Sequence, residues 1–182
     1  NKIRLGVLFG GRSGEHEVSL LSARSVLSAI NPDKYQVTQI GITHQGAWLV
    51  GEGVLEALES GELAQFSYAA VLADPTRQGL FMIQTGESGE MLSHLADLDV
   101  IFPVLHGTFG EDGTIQGLFE MAEVAYVGSG VLGSSVGMDK GLFRDIMRSK
   151  GIPQVETIVV LRRDIENSID DVVSQAEAIS SY

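Results

Sequence analysis

Two glycine-punctuated loops carry most of the side chains in this chain that could do chemistry. The first is Gly10-Gly11-Arg12-Ser13-Gly14-Glu15-His16-Glu17-Val18-Ser19, and the second is His106-Gly107-Thr108-Phe109-Gly110-Glu111-Asp112-Gly113. Each leaves an apolar run and leads into a helical pattern. Glycines let the backbone approach a ligand closely, and a helix N-terminus presents amide N–H groups to an anion. Glu15 has two readings. It is either a partner for the helix dipole, worth roughly 0.3–1 kcal/mol, or a carboxylate turned to a substrate ammonium. The second contact is worth on the order of 4 kcal/mol before desolvation, at about 4 Å and an effective dielectric near 20. An anion site beside such a carboxylate suits a zwitterion such as an amino acid.

His106 is read either as hydrogen-bonded to local backbone or as a donor beside a reacting carboxyl or phosphoryl group. Glu111 and Asp112 suit the cap and first turn of the next helix, and Glu111 could instead tether a loop. Lys140, Arg144 and Arg148 recur every four residues on one helix face. Arg144 and Arg148 read as a solvated stripe, whereas Lys140 follows a glycine-rich turn and is the better contact for a nucleotide.

Several familiar motifs fail. The G-x-G-x-x-G spacing would need glycine at position 9, which is Phe9, and no acidic residue follows the second strand. Gly133-Ser134-Ser135-Val136-Gly137-Met138-Asp139-Lys140 is not a phosphate loop, because Gly and Lys are not adjacent. It reads as a turn between domains, and its serines are not read as catalytic. No two-histidine spacing suggests zinc, and no G-x-S-x-G elbow suggests a serine hydrolase.

These loops need a framework. The apolar run at residues 3–9 predicts a strand buried on both faces, hence a parallel sheet. A helix over residues 17–30 follows, with Val18, Leu21, Val26, Ala29 and Ile30 supplying its apolar surface. Strands are expected at residues 35–42, 46–50, 100–104 and 126–127, and helices at 52–63 and 114–123. Within residues 52–95 the periodicity is weak, and the segments around Asp74 to Gln78 and Leu80 to Gln84 read as a hairpin-rich insertion. The expected fold is α/β, a doubly wound and mostly parallel sheet of Rossmann-like type with its ligand site at the carboxyl ends of the strands. Beyond Gly130 the pattern changes to a helix at 139–150, a strand at 155–161 and a helix at 168–181. Two domains are expected, residues 1–128 and an incomplete second one over 129–182.

At 182 residues the chain can bury a proper core. Its 24 acidic against 12 basic residues give a net charge of −12, which argues against nucleic-acid binding. Cysteine is absent, which excludes disulfides and thiolate chemistry and suits a reducing compartment. No apolar run reaches the ~20 residues of a membrane span, and no leader pattern precedes the first strand. A cytoplasmic protein without membrane partners is the expectation.

Five ordered segments resemble D-alanine:D-alanine ligases: Gly10 to Leu20, Phe102 to Gly107 with Gly110 to Gly113, Gln116-Gly117, Val127 to Gly130, and Met138-Asp139-Lys140. The resemblance implies the N-terminal half of an ATP-grasp enzyme of peptidoglycan precursor synthesis. ATP would phosphorylate the carboxylate of one D-alanine, and the amine of a second would displace phosphate. Carried over by motif, Glu15 would bind the first D-alanine's ammonium with Val18 packing nearby. His106 would sit beside its carboxyl group, Lys140 would contact nucleotide phosphates, and Glu111 would pin a lid loop. The resemblance also implies a homodimer. It implies Mg2+ (or Mn2+) bound by residues beyond Tyr182, with no metal ligand in this chain, so these residues alone are expected to be inactive. The competing reading is a non-catalytic α/β ligand-binding or dimerisation module.

Overall fold

A computed structural model of the chain describes residues 1–86 and 89–179. It divides into two compact units, Asn1–Met138 and Asp139–Tyr182. The first contains β1 (Ile3–Gly10), α1 (His16–Ala29), β2 (Tyr35–Ile42), β3 (Trp48–Val50), α2 (Val54–Ser60), β4 (Ser67–Val71), β5 (Leu80–Gly86), β6 (Gly89–Ala96), β7 (Val100–Val104), α3 (Thr114–Met121) and α4 (Val131–Met138).

One seven-stranded sheet runs in the order β6-β5-β4-β3-β2-β1-β7. Only β1–β2 and β1–β7 are parallel. The β2–β3, β3–β4, β4–β5 and β5–β6 ladders are antiparallel. The expectation of a mostly parallel sheet is therefore corrected to a mixed α/β sheet with a three-strand parallel centre. The reason lies in the connections. Helix α1 supplies the long crossover that parallel pairing needs, whereas β2 reaches β3 through a turn closed by Thr43 and Gly46. Tyr126 adds a single parallel bridge to Ile101.

β1 explains why its sequence is a nearly unbroken apolar run. Leu5, Val7 and Phe9 pack with Leu20 and Ala23 of α1 and with Val54 and Leu55 of α2. Leu8 packs on the opposite face, in the cluster of Ile40, Ile42, Ile101, Ile115 and Phe119. Val7, Leu8 and Phe9 are fully buried, each worth roughly 1.5–3 kcal/mol of apolar transfer. α1 turns a different face to the sheet from the one expected. His16, Ser19, Leu20 and Ala23 are buried, while Val18 and Leu21 are exposed. The i, i+3, i+4, i+7 series starts at residue 16, not 18.

Residues 133–137 are not a turn. They lie inside α4, although glycine and serine are poor helix formers. Packing outweighs propensity here, because the Ser134 side chain is buried and Ser135 Oγ donates to the Asp112 carbonyl at 2.8 Å.

The second unit holds α5 (Lys140–Ser149), α6 (Arg162–Asn167) and α7 (Ile169–Ile179). The strand expected at 155–161 is absent, since no ladder partner for it exists among the described residues. α6 was not anticipated. The Asp164 carboxylate starts it by accepting the Leu161 N–H at 2.9 Å. No described residue of this unit is buried, and Leu142, Phe143, Ile169 and Val173 are exposed. No described helix is long and apolar enough to cross a membrane.

Candidate functional site

Parallel pairing brings the carboxyl ends of β1, β2 and β7 to one edge of the sheet. Both glycine loops start there. Gly10, at φ 88°, turns the chain so sharply that a Cβ would strike the Ile42 carbonyl oxygen. Ser19 then clamps the two strand ends together. Its buried hydroxyl accepts the Gly10 N–H at 2.8 Å and donates to the Val104 carbonyl. His16 holds the first loop from below, its Nδ1 donating to the Gly11 carbonyl at 2.7 Å. Its ring stacks on His44 with centroids 3.8 Å apart, and His44 Nε2 lies 3.3 Å from Glu17.

The loops are also joined to each other. Ser13 Oγ donates to the His106 carbonyl at 2.7 Å and accepts the Glu15 N–H at 3.1 Å. Glu15 occupies the N-cap position of α1 but makes no side-chain cap bond. Its carboxylate lies against Gly107, where a Cβ would collide with Oε2. Gly107 at φ 70° is therefore what admits Glu15 to the second loop. The Glu15 carboxylate has no ion-pair or hydrogen-bond partner among the described residues, so it remains free for a cation. His106 is half-buried, and its Nε2 lies 2.9 Å from Ser22 Oγ of α1. That contact crosses to another element instead of closing on local backbone, and Nδ1 has no protein partner among the described residues. Val18 is exposed on the first turn of α1.

The second loop is held from within. The Glu111 carboxylate accepts the Gly107 N–H at 2.7 Å. Asp112 accepts N–H groups from Phe109 at 2.9 Å and Thr114 at 3.0 Å. Burial alone would raise the Asp112 pKa, but those backbone donors, with the Thr114 hydroxyl and its own amide, bring it below the ordinary carboxylate value. Gln116 Nε2 donates to the Gly110 carbonyl at 2.9 Å.

A cleft of about 260 Å³ opens between the loops on the α3 side, with Gly10, Gly11, Arg12, Trp48, His106 and Phe109 among its walls. Glu15 and Val18 do not line it. Lys140 opens α5 in the second unit, where the preceding Asp139 caps the helix by accepting the Leu142 N–H at 3.0 Å. The stripe expected of its neighbours is partly engaged. Arg144 donates to Thr157 Oγ1 at 2.8 Å, and Arg148 pairs with Asp145. Among the described residues, no group of three or more His, Cys, Asp or Glu side chains is placed to hold a metal ion.

Sequence reading missed Ser13, Ser19, Ser22 and His16. A usable signal existed: polar residues at 16, 19 and 22 share the face of α1 that also carries Leu20 and Ala23.

The chain is similar to known proteins over its whole length. The profile of the family described as D-ala D-ala ligase N-terminus matches residues 4–129. A D-alanine–D-alanine ligase of Natranaerobius thermophilus is 45% identical over the whole chain, which covers 48% of that protein. One from Rhodococcus opacus is 48% identical over 88% of the chain and 45% of its own length. The solved VanG D-Ala:D-Ser ligase of Enterococcus faecalis superposes with a TM-score of 0.76 at 31% identity, over 96% of this chain and 49% of that one. The chain thus spans about half the length of the curated relatives it matches. With both signature loops at the carboxyl edge of the sheet and the profile covering most of the first unit, the chain belongs to the D-alanine–D-alanine ligase N-terminal family.

Proposed function

We propose that the chain is the substrate-binding half of an ATP-dependent, ADP-forming ligase that joins two D-alanines for peptidoglycan precursors. The observation that carries this is the pairing of an unpartnered carboxylate with a free imidazole nitrogen across two bridged loops. Glu15 would take the ammonium of the first D-alanine, and His106 Nδ1 would face its carboxyl group, with Val18 against the side-chain methyl. Ser22 fixes the imidazole and Ser13 fixes the spacing of the loops, so both groups are positioned before substrate arrives. ATP supplies the phosphoryl group that turns the carboxylate into a D-alanyl phosphate, and the second amine displaces phosphate from it. Water must be kept out while that species exists.

The residues of this chain fit a nucleotide only in part. Lys140 is exposed and has no partner among the described residues, so it can meet a phosphate. No other phosphate-binding element accompanies it among the described residues. The proposal therefore places the rest of the nucleotide site, and the Mg2+ (or Mn2+) ligands, in the remainder of a longer protein. Residues 129–182 would open its central ATP-grasp domain, Glu111 would steady the loop that closes on substrate, and the assembly would be a cytoplasmic homodimer. Similarity across the whole chain to curated ligases favours this reading over a non-catalytic module.

Glu15→Gln in the full-length enzyme tests it. A carboxylate–ammonium contact at about 4 Å is worth up to about 4 kcal/mol before desolvation. The KM for the first D-alanine is expected to rise at least ~10-fold, with the KM for ATP unchanged. Unchanged D-alanine kinetics would refute the role of Glu15. D-alanine-dependent ADP release by the 182-residue chain alone would refute the division of labour.

A further inference from the structure

We propose that the cleft on the α3 side of the loop pair, which shares His106 with the proposed D-alanine site but is not lined by Glu15, binds a small amphipathic carboxylate. Ile42, Trp48, Leu105, Ile115 and Leu118 give the cleft mostly apolar walls, with His106, Thr108 and Thr114 adding polar side chains. One full charge stands among them, Arg12. Its side chain leaves the first loop, packs on Gly46, and sets the guanidinium carbon 4.9 Å from the centre of the Phe109 ring on the second loop.

Arg12 is the one arginine among the residues that line the cleft. Arg4, Arg24, Arg77, Arg148 and Arg163 each pair with an aspartate or glutamate. Arg12, like Arg144 and Arg162, pairs with no aspartate or glutamate among the described residues. Stacking on an aromatic face engages the plane of a guanidinium and leaves its in-plane N–H groups free, in the fork that fits a carboxylate. Asp112 lies in the same loop, but its two oxygens accept the Phe109 and Thr114 amides. That bond also holds Phe109 at φ 69°, a left-handed conformation rare for an aromatic residue, which keeps the ring beneath the guanidinium.

Charge and surface together select the ligand. An inorganic anion would satisfy Arg12 and leave the apolar walls in water. A neutral apolar molecule would fill the walls and make no use of the cation. A monocarboxylate with a short hydrocarbon tail matches both. About 260 Å³ lies below the ~300–1,000 Å³ of drug-sized sites, so the tail is a few carbons long, not a lipid chain or a peptide.

Trp48 is the only tryptophan in the chain and stands in the wall of the cleft, so its emission reports occupancy directly. Hexanoate would be titrated into the purified chain, beside hexanamide, hexylammonium and acetate. Hexanoate is expected to change Trp48 emission saturably, with the other three at least ~10-fold weaker. Arg12→Gln is expected to weaken hexanoate ~10-fold or more and to leave hexanamide unaltered, which also shows that the variant's cleft is intact. Three results would each overturn the proposal: no saturable change with hexanoate up to about 50 mM, equal affinity for acid and amide, or an Arg12→Gln variant that binds hexanoate like the parent.

Discussion

Replacing Ser19 by alanine removes one hydroxyl and leaves two backbone groups without partners. The Gly10 N–H loses its acceptor at 2.8 Å, and the Val104 carbonyl loses its donor. Ser19 is fully buried, so water cannot take its place without opening the sheet edge. Each orphaned buried group costs about 1–3 kcal/mol. Alanine returns roughly 0.5 kcal/mol as the better helix former. The net loss is on the order of 3 kcal/mol, since partial relaxation of the loops recovers some of the sum. For a chain of this size the melting temperature falls about 2–4 °C per kcal/mol, or roughly 6–12 °C. Urea unfolding followed by Trp48 emission would measure it. Ser22→Ala is the control: that hydroxyl is only half-buried and touches a side chain, so about 0.5–1 kcal/mol is expected. A Ser19→Ala loss below ~1 kcal/mol, or one equal to that of Ser22→Ala, would show that the two strand ends do not depend on this clamp.

The parallel centre of the fold was legible because burial on both faces leaves an unbroken apolar run, as at residues 3–9 and 100–104. The antiparallel wing was not. β5 and β6 face solvent along much of their length, and Met91, Leu92 and Leu95 are exposed, so neither alternation nor a continuous run marks them. α4 was hidden by its own composition, because Gly-Ser-Ser-Val-Gly reads as a turn until Ser134 and Ser135 are seen bonded to carbonyls elsewhere. The site itself divides the same way. Glu15 and His106 stand out because ionisable groups after glycine turns have few structural uses. Ser13, Ser19 and Ser22 do not, since a serine in a loop or helix is unremarkable until the partner segment some eighty or ninety positions away is brought beside it. His44 and Trp48 were passed over for the same reason. Their partners, the His16 ring and the cleft, exist only in three dimensions.

Gly107→Ala should act on binding and stability together. It forces an alanine to φ 70°, at roughly 1–2 kcal/mol, and its Cβ displaces the Glu15 carboxylate. In the full-length enzyme a raised KM for the first D-alanine is expected alongside a melting point a few degrees lower, and wild-type values for both would remove the steric argument. A separate acid-dependent contribution comes from the far end of β1. The Arg4 guanidinium and N–H both donate to Asp99, and these bonds, with the Arg4 charge, outweigh desolvation and hold the Asp99 carboxyl at about 2, against an ordinary 3.8. The depressed value belongs to the folded state, so between those two pH values the unfolded chain binds more protons. Its contribution is present above pH 3.8 and is lost as pH falls towards 2. Both partners are substantially exposed, so the effect is small and should shrink with added salt. Carboxyl NMR titration of Arg4→Met is the direct check. The Asp99 midpoint should return part of the way towards 3.8, because the residue-4 N–H still donates, and a midpoint still near 2 would mean that something other than the Arg4 side chain holds the charge.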